Sequence, residues 1–306
     1  MNLQKTPVEW LFVIDPIENL HPDTDTTLAI MEEAKKQGIA VWYCTIRELG
    51  FANNTYALAR EYRVDEVREI PLDDYHLIFM RKEPPYDLNF HYATQLLSLT
   101  KTKVVNNAKA LRDFNEKLMI LNFPEIIPPT LVSADNAQIK EFLQKHRTGI
   151  IKALDSYQGK WVKKVSIDDP DLDQHLGTCT KKGTTQIMIQ EFLPAVEKGD
   201  KRVLILGGKA IGAVNRMPKE GDYLANFGQG GIGEKTGITE KDQEIIGTLA
   251  PFFKKQGILF AGIDIIDGFL TEINITCPTG LVQINNLEEK RLEKDVVEYF
   301  KVIDEG

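Results

Sequence analysis

Cysteine is scarce in this chain. Its three cysteines, Cys44, Cys179 and Cys277, lie far apart among 306 residues, a spacing that fits neither a zinc-ligand pattern nor a disulfide framework. No apolar run reaches the roughly 18 residues of a membrane-spanning helix, and no secretory signal pattern is visible. Low-complexity tracts and internal repeats are missing. Basic charge is in deficit: the net charge is −8 and the pI about 5.3. That balance argues against general binding to nucleic acid or an anionic membrane, while permitting a local basic pocket. The glycine-rich stretch from Gly221 to Gly233 has neither a P-loop spacing nor G-x-G-x-x-G directly after a strand. We therefore expect a cytosolic protein with no nucleic-acid or membrane partner.

What is present is an ordinary soluble composition, 42% hydrophobic and 27% charged. The length exceeds what one core usually organises, so two or three domains are expected. Short apolar strands near residues 10–14, 40–44, 76–80 and 103–105 alternate with helical patterns over 26–37 and 90–99. This alternation predicts an open, mostly parallel sheet with ligands at the carboxyl ends of its strands. Those ends carry Asp15-Pro16, Arg81 to Pro85, and Asn106-Asn107, and the unit closes near Arg112. Residues 112–117 are expected to open a helix. Further strands are expected near 130–132, 149–153, 161–165, 187–193, 202–206 and 209–216. Helices are expected over 137–145, 239–256 and the last 20 residues.

The segment from Gly262 to Asn274 is the most informative. Two apolar runs flank Asp267-Gly268, the pattern of a β-hairpin, yet Asp264, Glu272 and Asn274 place oxygen-bearing side chains inside them. Glu272 and Asn274 are two apart and share a face. A strict two-residue turn pairs Asp264 with Thr271 and sends it to the opposite face. An odd loop, with Gly268 in a left-handed bulge position, pairs Asp264 with Leu270 and aligns all three. Three hard oxygen ligands on one face suit Mg²⁺ carried on a nucleotide. The plainer alternative is a hairpin with a polar solvent face; inside so apolar a hairpin, the trio reads as a metal site.

Other features point the same way. Lys117 and Lys152 stand among apolar neighbours, where an unpaired ammonium is costly; a polyphosphate or an acidic neighbour would resolve the cost. Arg202 begins one strand within Asp200-Lys201-Arg202-Val203 and Arg216 ends the next. Arginine's planar fork holds phosphate or carboxylate, although a surface ion pair is the simpler account of either residue alone. Gly221, Gly228, Gly230, Gly231 and Gly233 crowd a stretch with Asn226 and Gln229, which is either disordered or a lid. Nothing marks Cys277 as a nucleophile, since no base adjoins it in sequence.

Four stretches carry a resemblance: Met80-Arg81-Lys82-Glu83-Pro84-Pro85-Tyr86-Asp87, Leu111-Arg112-Asp113-Phe114-Asn115-Glu116-Lys117-Leu118, Asp200-Lys201-Arg202-Val203 and Thr271-Glu272-Ile273-Asn274. In order, they resemble the prokaryotic glutathione synthetases of the ATP-grasp superfamily, from Asp15-Pro16-Ile17 to about Asn285. The resemblance implies an α/β ATP-grasp fold. An N-terminal open parallel-sheet domain would cover residues 1–112, a small lid subdomain 113–193 and a catalytic subdomain 194–306. It implies that Lys117 and Lys152 contact ATP phosphates, that Gln190-Glu191-Phe192-Leu193 meets the adenine edge, and that Asp200 reaches the ribose. Asp264, Glu272 and Asn274 match ligands of Mg²⁺, with Mn²⁺ as a substitute. Arg202 and Arg216 match basic residues near the phosphates and the reacting carboxyl. Arg81, Pro278 and Thr279 fall on the peptide-substrate side. Residues 217–232, including Asn226, correspond to a lid over the reaction intermediate. The implied reaction passes the γ-phosphate of ATP to the carboxylate of γ-glutamylcysteine, and the amine of glycine then displaces phosphate. A homo-oligomer is also implied.

Some positions depart from the family. Where it carries a glycine-rich loop, this chain has Asp155-Ser156-Tyr157-Gln158-Gly159-Lys160-Trp161, in which Lys160 could supply charge in place of backbone dipoles. Leu224 stands where an arginine is usual, and Gly280-Leu281-Val282-Gln283 lacks an arginine and a glutamate. These changes gather on the substrate side. A related ligase with another acid or amine, and a nucleotide-binding paralogue without turnover, are the alternatives they leave.

Overall fold

Side-chain alternation along the first strand sets the layering of the N-terminal half. The computed structural model describes residues 8–155 and 161–304; Lys160 lies outside the described residues. Strands β1 (Glu9–Val13), β2 (Ala40–Cys44), β3 (Leu49–Ala52), β4 (Asn54–Glu61), β5 (Val67–Pro71), β6 (Leu77–Met80) and β7 (Lys103–Val105) form one sheet. Its order is β3-β4-β2-β1-β6-β7, with β5 on β4. Leu11 and Val13 enter one core and Trp10 and Phe12 the other, so β1 is covered on both faces and reads as an unbroken apolar run. Helix α1 (Thr26–Lys36) covers one face, and α2 (Leu88–Leu97) and α3 (Ala108–Asp113) the other.

Strands β2, β1, β6 and β7 are parallel as expected, but β3, β4 and β5 extend the sheet antiparallel. Sequence reading misses this extension because β4 buries only the small residues Thr55, Ala57 and Ala59. From β1 the chain crosses to β2 on one side, whereas β6 lies on the other. The loops after β1 and β6, with Asp15 and Arg81 to Pro85, therefore flank a switch point where such sheets bind ligands.

The expected helix at Arg112–Lys117 is not there. α3 stops at Asp113, Phe114 is extended, and the Asn115 side chain accepts from the Lys117 and Leu118 amides at 3.0 and 3.1 Å. Such a local side-chain bond competes with helix continuation, and it turns Glu116 and Lys117 toward the interior.

A second sheet is antiparallel, built from β8 (Thr130–Ser133), β9 (Thr148–Ala153), β10 (Val162–Ser166) and β11 (Ile187–Glu191) in the order β10-β9-β11-β8. Helices α4 (Asn136–His146) and α5 (Leu172–Cys179) pack on it through Ile139, Leu143 and Leu176. The third sheet comprises β12 (Asp200–Leu206), β13 (Lys209–Met217), β14 (Ile232–Lys235), β15 (Phe260–Ile266) and β16 (Phe269–Asn274), ordered β14-β13-β12-β15-β16. Helix α6 (Glu240–Gln256) opens with a capping box of Thr239 and Asp242 and closes at Gly257 in the left-handed region.

The C-terminal helix expected from sequence is α8 (Leu292–Asp304); a further helix, α7 (Leu281–Glu288), precedes it, and a left-handed Glu289 separates the two. α8 returns to the N-terminal sheet, where Phe300 meets Phe79 edge-on at 5.0 Å. Among the described residues no helix is long and apolar enough to cross a membrane.

Candidate active site

The β15–β16 hairpin solves its register in a way neither sequence alternative anticipates. Ile266 pairs with Phe269 across a two-residue turn, and Asp267 and Gly268 both have positive φ, 52° and 75°, as a primed turn requires. A bulge then intervenes: Ile265 faces Leu270, but Asp264 faces Glu272, leaving Thr271 as the extra residue. That single insertion moves Glu272 and Asn274 onto the face of Asp264. It also frees the Thr271 carbonyl, which accepts from Lys152 Nζ at 3.1 Å.

Register across the sheet builds a row of charge. Arg202 lies opposite Asp264, and Asp264 opposite Glu272. Arg202 donates to both Asp264 oxygens, at 2.5 Å from Nε and 3.0 Å from Nη2. Arg216 Nη2 lies 3.0 Å from Asp264 Oδ1 and 2.6 Å from Asp200 Oδ2. Lys117 pairs with Glu272 at 3.4 Å. Thus Lys117 has an acidic neighbour, and both arginines make buried rather than surface pairs.

Two carboxylates directly opposite on adjacent strands repel, and here cations surround them. Burial would raise the Asp264 carboxyl, but Arg202 and Arg216 outweigh it and hold it well below the usual range. Burial pushes Asp200 up to about 6, with Arg216 opposing and Asp264 reinforcing the rise. Burial also pulls the Lys152 ammonium down, and Glu272 only partly offsets this.

Two cavities meet at this row. A cleft of about 780 Å³ between the second and third sheets is lined by Lys117, Lys152, Gln190 to Leu193, Asp200, Asp264, Glu272 and residues 223–226. A chamber of about 1680 Å³ lies between the third sheet and the loops after β1 and β6. Arg202, Arg216, Asn274 and Thr279 line one wall, and Asp15, Asp25, Glu83 and Pro84 line the other. Glu272 and Asn226 border both spaces.

Arg81 and Pro278 sit behind the chamber wall. Arg81 is buried, its Nε donating to Thr27 Oγ1 and its Nη2 to the Pro278 carbonyl, each at 3.0 Å. They tie the N-terminal sheet to the segment after β16. Cys277 borders the chamber, donates to the Arg81 carbonyl at 3.2 Å, and burial pushes its thiol up to about 12. At such a value the thiolate is a minute fraction at neutral pH.

Sequence reading missed Glu116. Its Oε1 accepts from the Ile275 and Thr276 amides at 2.7 and 2.9 Å and from Thr276 Oγ1 at 2.9 Å. It therefore fixes the segment after β16 to the turn that carries Lys117. The only signal was its place between Asn115 and Lys117 in a stretch already singled out.

Residues 8–112 match the prokaryotic glutathione synthetase N-terminal domain, and residues 116–289 the prokaryotic glutathione synthetase ATP-grasp domain. The chain is 36% identical over 302 residues to the glutathione synthetase of Prochlorococcus marinus subsp. pastoris, covering 95% of this chain and 98% of that one. It is 38% identical over 294 residues to that of Neisseria meningitidis serogroup A, covering 90% and 92%. Among solved structures, D-cycloserine synthetase DcsG superposes with a TM-score of 0.68 at 14% identity, covering 95% of this chain and 99% of that one. A RiPP-associated ATP-grasp ligase of Chryseobacterium gregarium, in complex with ADP and peptide, gives 0.66 at 15% identity, covering 95% and 96%. Those two likenesses establish the ATP-grasp fold. The sequence matches go further: this chain belongs to the prokaryotic glutathione synthetase family.

Proposed function

We propose that this protein is an ATP-dependent carboxylate–amine ligase that joins γ-glutamylcysteine to glycine. The observation that carries the reading is the meeting of a lysine-lined cleft and an arginine-lined chamber at Glu272. Lys117 and Lys152 would hold the triphosphate, and their burial makes an anionic partner favourable. Asp200 Oδ1 is buried without a hydrogen-bond partner among the described residues, which suits a ribose hydroxyl. The Glu191 and Phe192 amides already bond the Pro129 and Thr148 carbonyls at 2.9 and 3.1 Å, so we assign the adenine edge to the Leu193 amide.

Asp264, Glu272 and Asn274 would hold Mg²⁺, or Mn²⁺ in its place; two carboxylates and an amide oxygen are a hard donor set. When bound, the ion offsets charge on the transferring phosphoryl group. In the chamber, Arg202 and Arg216 orient the reacting carboxylate and stabilise its acyl phosphate, whose carbonyl carbon the amine then attacks as phosphate leaves. Residues 217–232 would exclude water from that intermediate. We divide the chain at residues 1–112, 113–193 and 194–306, with the chamber between the first and last units. A cytoplasmic homo-oligomer with small-molecule partners completes the reading.

The test is phosphate release from MgATP with neither, either or both of γ-glutamylcysteine and glycine. Rapid release that needs both, matched by glutathione formed, supports it. No release under any combination overturns it.

A further inference from the structure

The loop between β13 and β14 folds tightly on itself. Asp222 Oδ1 accepts from the Tyr223 and Leu224 amides at 2.7 and 3.1 Å. Gly231 packs so closely that a Cβ there would lie 2.0 Å from the Ala225 carbonyl oxygen, and its N–H donates to the Asn226 carbonyl at 3.2 Å. So shaped, the loop presents residues 223–226 to the cleft.

Across the cleft lies β10, the edge strand of the second sheet. Along such an edge, the carbonyl of one residue and the amide two residues later point outward unpaired. At β10 the Tyr223 hydroxyl takes both places. It accepts from the Lys164 amide at 3.2 Å and donates to the Val162 carbonyl at 3.4 Å.

We propose that Tyr223 is a positioning residue whose hydroxyl clasps this loop shut on the β10 edge, keeping water from the acyl phosphate. The proposal rests on the ligase reading above. Two bonds from one hydroxyl hold the loop without anchoring it permanently, as a lid that must release product requires. The clasp joins a loop side chain to main-chain groups, so it survives changes in the side chains of β10. Leu224, next to it, offers no charge with which to hold the loop.

Tyr223→Phe keeps the ring and removes the hydroxyl. With MgATP and γ-glutamylcysteine but no glycine, it should release phosphate about three- to tenfold faster than the unmodified protein, the effect of roughly one net hydrogen bond. With glycine present, phosphate released per amide formed should rise above one. Lys164→Pro deletes the donating amide on an outward edge, where proline is tolerated, and should give the same loss of coupling. Lys164→Ala serves as its control, because the Lys164 ammonium also lies 3.6 Å from the Phe192 ring centroid. The double variant Tyr223→Phe/Lys164→Pro should be no worse than the stronger single one. Unchanged coupling in Tyr223→Phe, or additive losses in the double variant, would overturn the clasp. If the unmodified protein forms no amide at all, the ligase reading fails instead.

Discussion

Arg202 grips both oxygens of Asp264, the residue directly opposite it on the neighbouring strand. Asp264 thus neutralises two buried arginines, and in the proposed site it would also offer oxygen to a cation. Asp264→Ala should leave Arg202 and Arg216 short of their common counter-ion and cost about 3–5 kcal/mol of stability, read by denaturant unfolding. Asp264→Asn should be milder in stability, yet lower kcat/KM at least ~100-fold, the upper range for changes around a bound metal. The pH dependence has a definite sign. Because the folded carboxyl titrates below its usual 3.8, its contribution is full above that value and lost as pH falls below it. The stability gap between the unmodified protein and Asp264→Asn should narrow on acidification.

Glu272 borders both cavities and pairs with Lys117 at 3.4 Å. Glu272→Ala should abolish ligation while leaving the fold intact, by circular dichroism and by a melting temperature within a few degrees of the original. Near-normal turnover would remove Glu272 from the metal assignment.

Lys152 should report nucleotide binding through protons. Burial lowers its ammonium from 10.5, and a polyphosphate would raise it again. ATP affinity should therefore weaken as pH rises into the alkaline range, earlier than for an ordinary lysine. Binding there should take up a proton, measurable by calorimetry in buffers of different ionisation enthalpy. Lys152→Ala should flatten that part of the profile.

The hairpin bulge yields a smaller effect. Thr271 Oγ1 donates to the Asp264 carbonyl at 3.2 Å. Thr271→Val should cost about 0.5–1.5 kcal/mol of stability and change kcat less than threefold, since the carbonyl that receives Lys152 is untouched.

How much of this was legible beforehand follows from where each signal lives. The parallel strands β1 and β6 were readable because burial on both faces leaves an apolar run. β3 to β5 were not, since one face of β4 is buried by small residues only. Asp264, Glu272 and Asn274 could be named, but their alignment depended on a bulge at Thr271 that no residue in the segment announces. The pairing of Arg202 with Asp264 joins positions 62 apart, a register fixed by the sheet. Glu116 was invisible for a related reason: its partners, Ile275 and Thr276, lie on a segment that only the fold brings near.

In the proposed site, Asp264, Glu272 and Asn274 together would hold a divalent cation that aligns a nucleotide in the cleft beside Lys117 and Lys152. The most direct measurement is anomalous diffraction from crystals grown with Mn²⁺ and a non-hydrolysable ATP analogue. A manganese peak among those three side chains, with the analogue in the cleft, is the expected result. An ordered analogue lying elsewhere, or a peak absent from those side chains while the analogue fills the cleft, would contradict it.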